Sequence, residues 1–257
     1  MEVVRVEDLY FTYGLDFKLR VSSLSVNSGE LTVLLGPNGC GKTTLLKCIN
    51  ALVKPEKGSV SIDGKDTLRM GWDRLARLVG YVPQMHQPPF PYSVIDIVLM
   101  GRVSSMGIFQ QPSKSDYAKS EEALKLVGMH PFRDRPYTQI SGGERQLVLI
   151  ARAIAQEPKV LLLDEPTAHL DFKNQLVVLG TVKRIARERG IAVITSLHDP
   201  NHTMLFADTV ILMSNGTVFA AGRPDEVVTE ANIESVYAME VEVIVHHRSR
   251  FVLPRIK

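Results

Sequence analysis

Cysteine is scarce in this chain. Cys40 and Cys48 are the two among 257 residues, they form no CxxC pair, and no histidine lies near them at metal-ligand spacing. Neither a disulfide framework nor a zinc site therefore organises the fold. Long apolar runs are missing too. A membrane-spanning helix needs ~18 to 20 apolar residues, and the densest candidate, residues 94–100, is short and broken by Asp96. Any work at a membrane is then expected to be peripheral. No sign of charge dominates: 30 basic and 28 acidic residues leave +2, scattered along the chain, so no electrostatic footprint for nucleic acid is present. The opening stretch carries Glu2, Arg5, Glu7 and Asp8 where a signal peptide needs an apolar run, and the cytoplasm is the expected compartment. What remains is 45% hydrophobic and 23% charged, an ordinary globular composition. The length fits one large domain, or one domain with an inserted lobe.

Apolar alternation over residues 2–11 and 17–26 predicts two early strands, then a turn at Asn27-Ser28-Gly29. Residues 31–35, Leu-Thr-Val-Leu-Leu, form a near-continuous apolar run expected of a strand buried on both faces. It ends at a Gly-rich loop with a helix expected from Lys42. Residues 59–64 and 78–82 read as two more strands. From about Pro88 to Pro158 the pattern turns helical, interrupted by Pro and Gly, as an inserted lobe would be. Strand character returns at 160–163 and 191–195. Between them Phe172, Leu176, Leu179, Val182 and Ala186 mark one helical face, making a βαβ unit. Residues 209–213 and 217–221 flank Asn215-Gly216 as a hairpin, and residues 240–245 alternate as a last strand.

Gly36-Pro37-Asn38-Gly39-Cys40-Gly41-Lys42-Thr43-Thr44 satisfies G-x-x-x-x-G-K-[ST] in full, directly after an apolar strand. Its glycines let successive backbone N–H groups point inward, and the helix start adds its partial positive charge to the same anion hole. Lys42 is placed for the β- and γ-phosphates, and the Thr43 hydroxyl for Mg²⁺. Asp164-Glu165 follow the apolar 160–163 run, where a strand ends and ligands gather in α/β sheets. Asp164 suits a metal-holding role through water, and Glu165 is placed to polarise an attacking water. His198 closes a third strand at the same edge and is expected to reach the γ-phosphate and that water. His86, His130, His202, His246 and His247 gain no assignment; the adjacent pair His246-His247 is expected to point to opposite faces of its strand.

A P-loop and an acidic strand end leave the class of NTPase open. Ile140-Ser141-Gly142-Gly143-Glu144-Arg145-Gln146 narrows it. Ser141 and Glu144 form an S-x-x-E capping box, and the two glycines leave the helix-start N–H groups open to an anion. The segment resembles the LSGGQ signature of the ABC ATPase family, with Ile for Leu and Glu for Gln. The resemblance implies a P-loop α/β fold with a mixed β core, an N-terminal antiparallel β subdomain and an inserted helical subdomain. Residues 1–87 and 159–257 would form the nucleotide-binding core and 88–158 the helical signature subdomain. It further implies ATP and Mg²⁺ as ligands and a head-to-tail homodimer in which Ser141, Gly142 and Gly143 of one chain meet the nucleotide of the other.

Other positions match the family's pattern in order. Tyr13 resembles the aromatic that stacks on adenine. Gln84 resembles the Q-loop glutamine that reaches Mg²⁺ and the water from a mobile joint. Asp171 resembles the D-loop aspartate, although Ala168-His169 replace a more usual Ser-Ala. One P-loop, no fused membrane segment and no long heptad run favour an importer subunit on the cytoplasmic face of a membrane, docked on separate permease chains. A periplasmic or lipid-anchored binding protein would be an indirect partner. Residues 93–102, 198–202 and 236–243 are similar to the group serving iron-siderophore, haem, cobalamin and molybdate uptake. An iron(III) chelate is the cargo expected first, with molybdate or cobalamin as alternatives and a soluble non-transport ATPase as the rival class. The permease contact is expected at about residues 85–107.

Overall fold

The computed structural model describes residues 1–14, 17–84, 91–106, 110–247 and 249–255. β1 (Glu2–Tyr13) and β2 (Phe17–Asn27) alternate buried and exposed residues and pair antiparallel from Glu2↔Asn27 to Tyr13↔Phe17. One face of this ribbon meets the core and the other meets water, which is what period-two patterning encodes. β3 (Leu31–Leu35) is buried at every position and runs into the P-loop and α1 (Lys42–Ile49). β4 (Lys57–Ile62) and β5 (Lys65–Asp66) extend the β1 edge antiparallel. After α2 (Trp72–Leu78) comes β6 (Val79–Val82), one residue later than the sequence pattern suggested, because Leu78 still closes the helix.

A run of helices follows: α3 (Val94–Leu99), α4 (Lys114–Leu126) and α5 (Gly142–Ile154). Each opens with the same device, a capping box in which Ser93, Ser113 or Ser141 accepts from the N–H three residues on while an acid reaches back. Two orphan helix-start donors are satisfied each time. Among the described residues of this stretch no strand forms, only an isolated bridge between Ser93 and Pro136. Buried Arg102 ties the helices together: it donates to Asp116 Oδ1 at the start of α4 (3.1 Å) and to the Ala155 carbonyl at the end of α5 (2.6 Å).

β7 (Val160–Leu163), α6 (Phe172–Arg189) and β8 (Ala192–Leu197) make the expected βαβ unit. Then come α7 (Pro200–Phe206), the hairpin β9 (Thr209–Ser214) and β10 (Thr217–Gly222), and the short helices α8 (Pro224–Val227) and α9 (Glu230–Tyr237). The tail strand exists as β11 (Val241–His246), and it pairs with β12 (Ser249–Pro254) in a separate small sheet. The main sheet has ten strands in the order β5-β4-β1-β2-β10-β9-β3-β8-β7-β6. Its half from β9 to β6 is parallel.

Those parallel strands separate two apolar layers. Leu31, Val33 and Leu35 of β3, with Leu161 and Leu163 of β7, face the layer holding α3, α5 and α6. Leu34, Val160 and Leu162 face the layer holding α1 and the N-terminal ribbon. Burial on both faces explains the unbroken apolar runs. The helical face of α6 differs from the expected one. Phe172 is exposed and Leu176 half-buried, while Val178, Leu179, Val182, Ile185 and Ala186 are buried. The fully buried stripe therefore starts later than the apolar spacing indicates, at Val178.

Candidate active site

Four parallel strands, β3, β6, β7 and β8, end at one edge of the sheet and deliver the functional side chains there. β3 ends at Gly36, whose backbone passes so close to β9 that an added Cβ would lie 2.4 Å from the Met213 carbonyl oxygen. Gly41 holds φ 107° and caps α1, a conformation that favours glycine. Gly36, Cys40, Gly41, Lys42 and Thr44 are buried, Pro37 and Thr43 half-buried, and Asn38 and Gly39 exposed. Lys42 Nζ donates to the carbonyls of Gly36 (2.7 Å) and Pro37 (2.9 Å). Burial pushes its ammonium below the ordinary range, against the pull of Cys40, Glu165 and Asp164. Its remaining contact is the Cys40 sulfur at 4.0 Å, and a desolvated cation held by neutral partners is primed for stronger acceptors.

β7 delivers Asp164 and Glu165. Asp164 is buried, and its Oδ1 accepts from Thr43 Oγ1 and Ser196 Oγ, both at 2.9 Å. Tyr81 Oη lies 3.5 Å from the other oxygen, and burial together with Asp164 pushes that phenol up to about 12. Glu165 sits at φ 50°, a left-handed backbone that costs a non-glycine residue about 1 kcal/mol or more. Gln84 Nε2 donates to its Oε2 at 2.6 Å, and His198 Nε2 lies 2.6 Å from its Oε1. Both carboxylate oxygens are thus held by side chains from two other strand ends.

A cavity of about 210 Å³ opens over this edge, bounded by Tyr13 and Phe17 on one side, the P-loop beneath, and Glu165 opposite. Tyr13 is half-exposed and stands edge-on to Phe11, with ring centroids 4.6 Å apart, and 6.1 Å from Phe17. The structure thereby brings together Tyr13, the P-loop, Asp164, Glu165, Gln84 and His198. Ser141, Gly142 and Asp171 do not line the cavity. Ser141 caps α5 and Asp171 caps α6, the latter accepting from the Asn174 N–H at 2.8 Å. Glu144 is held below its usual carboxylate range by the Ser141 N–H it accepts from. The two signature glycines differ in circumstance. Gly142 is exposed, whereas Gly143 is buried with its missing Cβ only 2.6 Å from Asn174 Cγ. Packing of α5 on α6 is therefore enough to require glycine at 143, a reason separate from backbone access.

Ser196, Tyr81 and Phe17 escaped sequence reasoning. A lone serine inside an apolar strand and a lone tyrosine beside a glycine carry no pattern, and Phe17 was legible only as the first residue of a strand. His246 and His247 correct the expectation of opposed faces: His247 lies in a turn at φ 53°, and the two rings meet edge to face at 4.4 Å. Among the described residues no group of three His, Cys, Asp or Glu side chains forms a ready metal cage. No described helix is long and apolar enough to cross a membrane.

Comparison with known proteins matches residues 19–168 to the family described as "ABC transporter". A probable iron chelatin transport ATP-binding protein of Helicobacter pylori is 34% identical, with 95% of this chain and 96% of that protein covered. The molybdate import ATP-binding protein MolC of Haemophilus influenzae is 35% identical over 92% of this chain and 88% of its own. The chain spans 56% of the length of a longer relative, the ABC transporter ATP-binding protein YvrA of Bacillus subtilis, at 36% identity over 96% of this chain. Among solved structures, an inward-facing conformation described as of the metal-chelate ABC transporter type superposes with TM-score 0.88 at 33% identity, covering 100% of this chain and 99% of that one. The dimeric cassette MJ0796 superposes with TM-score 0.73 at 28% identity, over 86% and 98%.

Proposed function

Because the chain belongs to the ABC transporter ATP-binding family, we propose that it is the ATP-hydrolysing subunit of an importer and that its cargo is an iron(III) chelate. The observation that carries the enzymatic reading is the convergence at Glu165, whose two oxygens are held by Gln84 and His198 at the mouth of the P-loop cavity. A carboxylate so aimed serves as general base toward a water at the γ-phosphate of ATP. Gln84 and His198 orient that water and register the phosphate. Lys42 exchanges two carbonyls for phosphate oxygens, and Tyr13 offers its exposed ring to the adenine.

Thr43 Oγ1 and Asp164 Oδ1, 2.9 Å apart, are hard oxygen donors that fit Mg²⁺. These two side chains would hold the ion, with phosphate oxygens as its further ligands. Bound there, Mg²⁺ supplies charge neutralisation of the phosphate oxygens. The signature residues Ser141 and Gly142, exposed and away from this cavity, serve the nucleotide of a second copy, and the dimeric solved relative supports that arrangement. Asp171 is assigned to the same interface.

The iron-chelate cargo is supported by the iron chelatin relative and the metal-chelate structural neighbour; the molybdate relative supports the alternative. The chain would act on the cytoplasmic face of a membrane, docked on permease chains. Of the expected contact at 85–107, residues 85–90 and 107 lie outside the described residues. The described part exposes Met100 and Val103, and Arg77 of α2 donates to the Ser104 carbonyl at 3.0 Å. The test is purification of the intact complex from membranes. An iron(III) chelate on its binding protein should raise ATP turnover where molybdate and cobalamin do not, and a Val103→Cys variant should crosslink to a permease chain. Activity with no membrane partner at all would favour a soluble ATPase instead.

A further inference from the structure

Ser196 belongs to no recognised motif, yet it is the fully buried polar residue between the two acids. Its Oγ donates to Asp164 Oδ1 at 2.9 Å and accepts the Glu165 N–H at 2.8 Å. One hydroxyl thus joins the side chain of one acid to the backbone of the next. That backbone is the strained one, at φ 50°. A non-glycine residue persists in the left-handed region only where its surroundings over-determine it. Ser196 lies on β8, two residues before His198, so a rigid central strand positions the hydroxyl and the histidine together.

We propose that Ser196 is a positioning residue for hydrolysis, which fixes the peptide of Glu165 and thereby the direction of its carboxylate. The inference rests on the reading of Glu165 as the base. Asp164 Oδ1 accepts from Thr43 as well, and the Thr43 hydroxyl is the group assigned to Mg²⁺. If Thr43 held the metal, Asp164 would keep the Ser196 hydroxyl on Oδ1 and the longer Tyr81 contact on Oδ2. The Glu165 N–H has no such second choice, because its partner in the structure is the serine oxygen. Without it a part-buried donor loses its partner and the strained peptide can relax, swinging the carboxylate off the line set by Gln84 and His198.

The test compares Ser196→Thr with Ser196→Val in the purified full-length chain. Both add the same bulk, and only threonine keeps a hydroxyl. Ser196→Ala, which adds none, guards against misfolding. Threonine should hold kcat within about threefold of the native chain, while valine and alanine should lower it about tenfold with KM for ATP nearly unchanged, the scale of one lost hydrogen bond. In the nucleotide-free chain, hydrogen exchange at the Glu165 amide should quicken about tenfold in the valine and alanine variants and not in threonine. Equal kcat and equal exchange across the variants would overturn the role. A Glu165→Gln control separates the two readings. If it abolishes hydrolysis while the Ser196 variants agree with one another, this inference alone falls. If it leaves hydrolysis intact, the base assignment falls first.

Discussion

Glu165 shows how much a single residue depends on groups far away in sequence. Its carboxylate is clamped by Gln84 and His198, each at 2.6 Å, and replacing it by glutamine preserves shape while turning one accepting oxygen into a donor and removing basicity. Glu165→Gln should bind ATP normally and hydrolyse it about 10² to 10⁴ times more slowly; single-turnover rates measure this, and near-native hydrolysis would reject the base. The two signature glycines allow a finer distinction. At Gly143 a methyl group would strike Asn174, whose amide is itself bonded to Asp171 at 3.0 Å and cannot swing aside freely. Gly143→Ala should cost about 1 to 3 kcal/mol of stability. At Gly142 the nearest obstacle is Leu170 Cδ2 at 3.5 Å, ordinary contact. Gly142→Ala should therefore melt no lower than the native chain while hydrolysing more slowly, because the methyl crowds a helix start that a phosphate must reach. Melting curves and ATPase rates of the pair distinguish packing from access. Equal melting temperatures for both variants would remove the packing argument.

Among the elements, the helices α3, α4 and α5 add caps and one buried ion pair to their apolar packing. Asp116 both closes the Ser113 capping box and faces Arg102. Ser113 first, by side chain and backbone, and then Arg102 hold its carboxyl below the ordinary 3.8, at about 2. A carboxylate depressed on folding stabilises the native state in full above its unfolded pKa and loses that contribution as pH falls through the folded one. The melting temperature of Asp116→Asn should accordingly lie several degrees below native at pH 7, with the gap closing between about pH 4 and pH 2. A gap that is constant across that window would show that the charge is not what α4 relies on. These caps were partly legible: Ser141 and Glu144 stand out as S-x-x-E, whereas Ser113 and Asp116 resemble any polar stretch. The strands were plain because burial on both faces leaves unbroken apolar runs such as residues 160–163. The face of α6 differs from the spacing because Phe172 and Leu176 fall on the helical period although Phe172 is exposed and Leu176 only half-buried. Apolar spacing records which side chains align, not where the neighbouring layer stops.

At the scale of the whole molecule, sequence showed the parts of the site and folding separates two of them from the rest. Strand ends gather Lys42, Asp164, Glu165, Gln84 and His198 at one edge of the sheet, but Ser141 and Gly142 remain on an exposed helix start and do not line the cavity there. A side chain such as Ser196 becomes meaningful only once β7 and β8 are in register, which no local pattern encodes. If each ATP is held by the P-loop of one copy and the signature of the other, defects in the two parts must complement. Lys42→Ala disables a P-loop, and Ser141→Arg blocks a signature with a bulky cation; each variant alone should be inactive. In a mixed dimer both lesions fall on the same site, leaving the opposite site with an intact P-loop and an intact signature. Random pairing in an equal mixture makes about half the dimers mixed, each with one sound site of two, so activity should return to at most about a quarter of native. A site built within a single copy has no way to recover, and a mixture as inactive as its components would show either that or an obligate coupling of both sites. A tandem fusion carrying both lesions on one half and none on the other separates these: a site built within each copy keeps the unmutated half active, whereas shared sites leave both defective and the fusion silent.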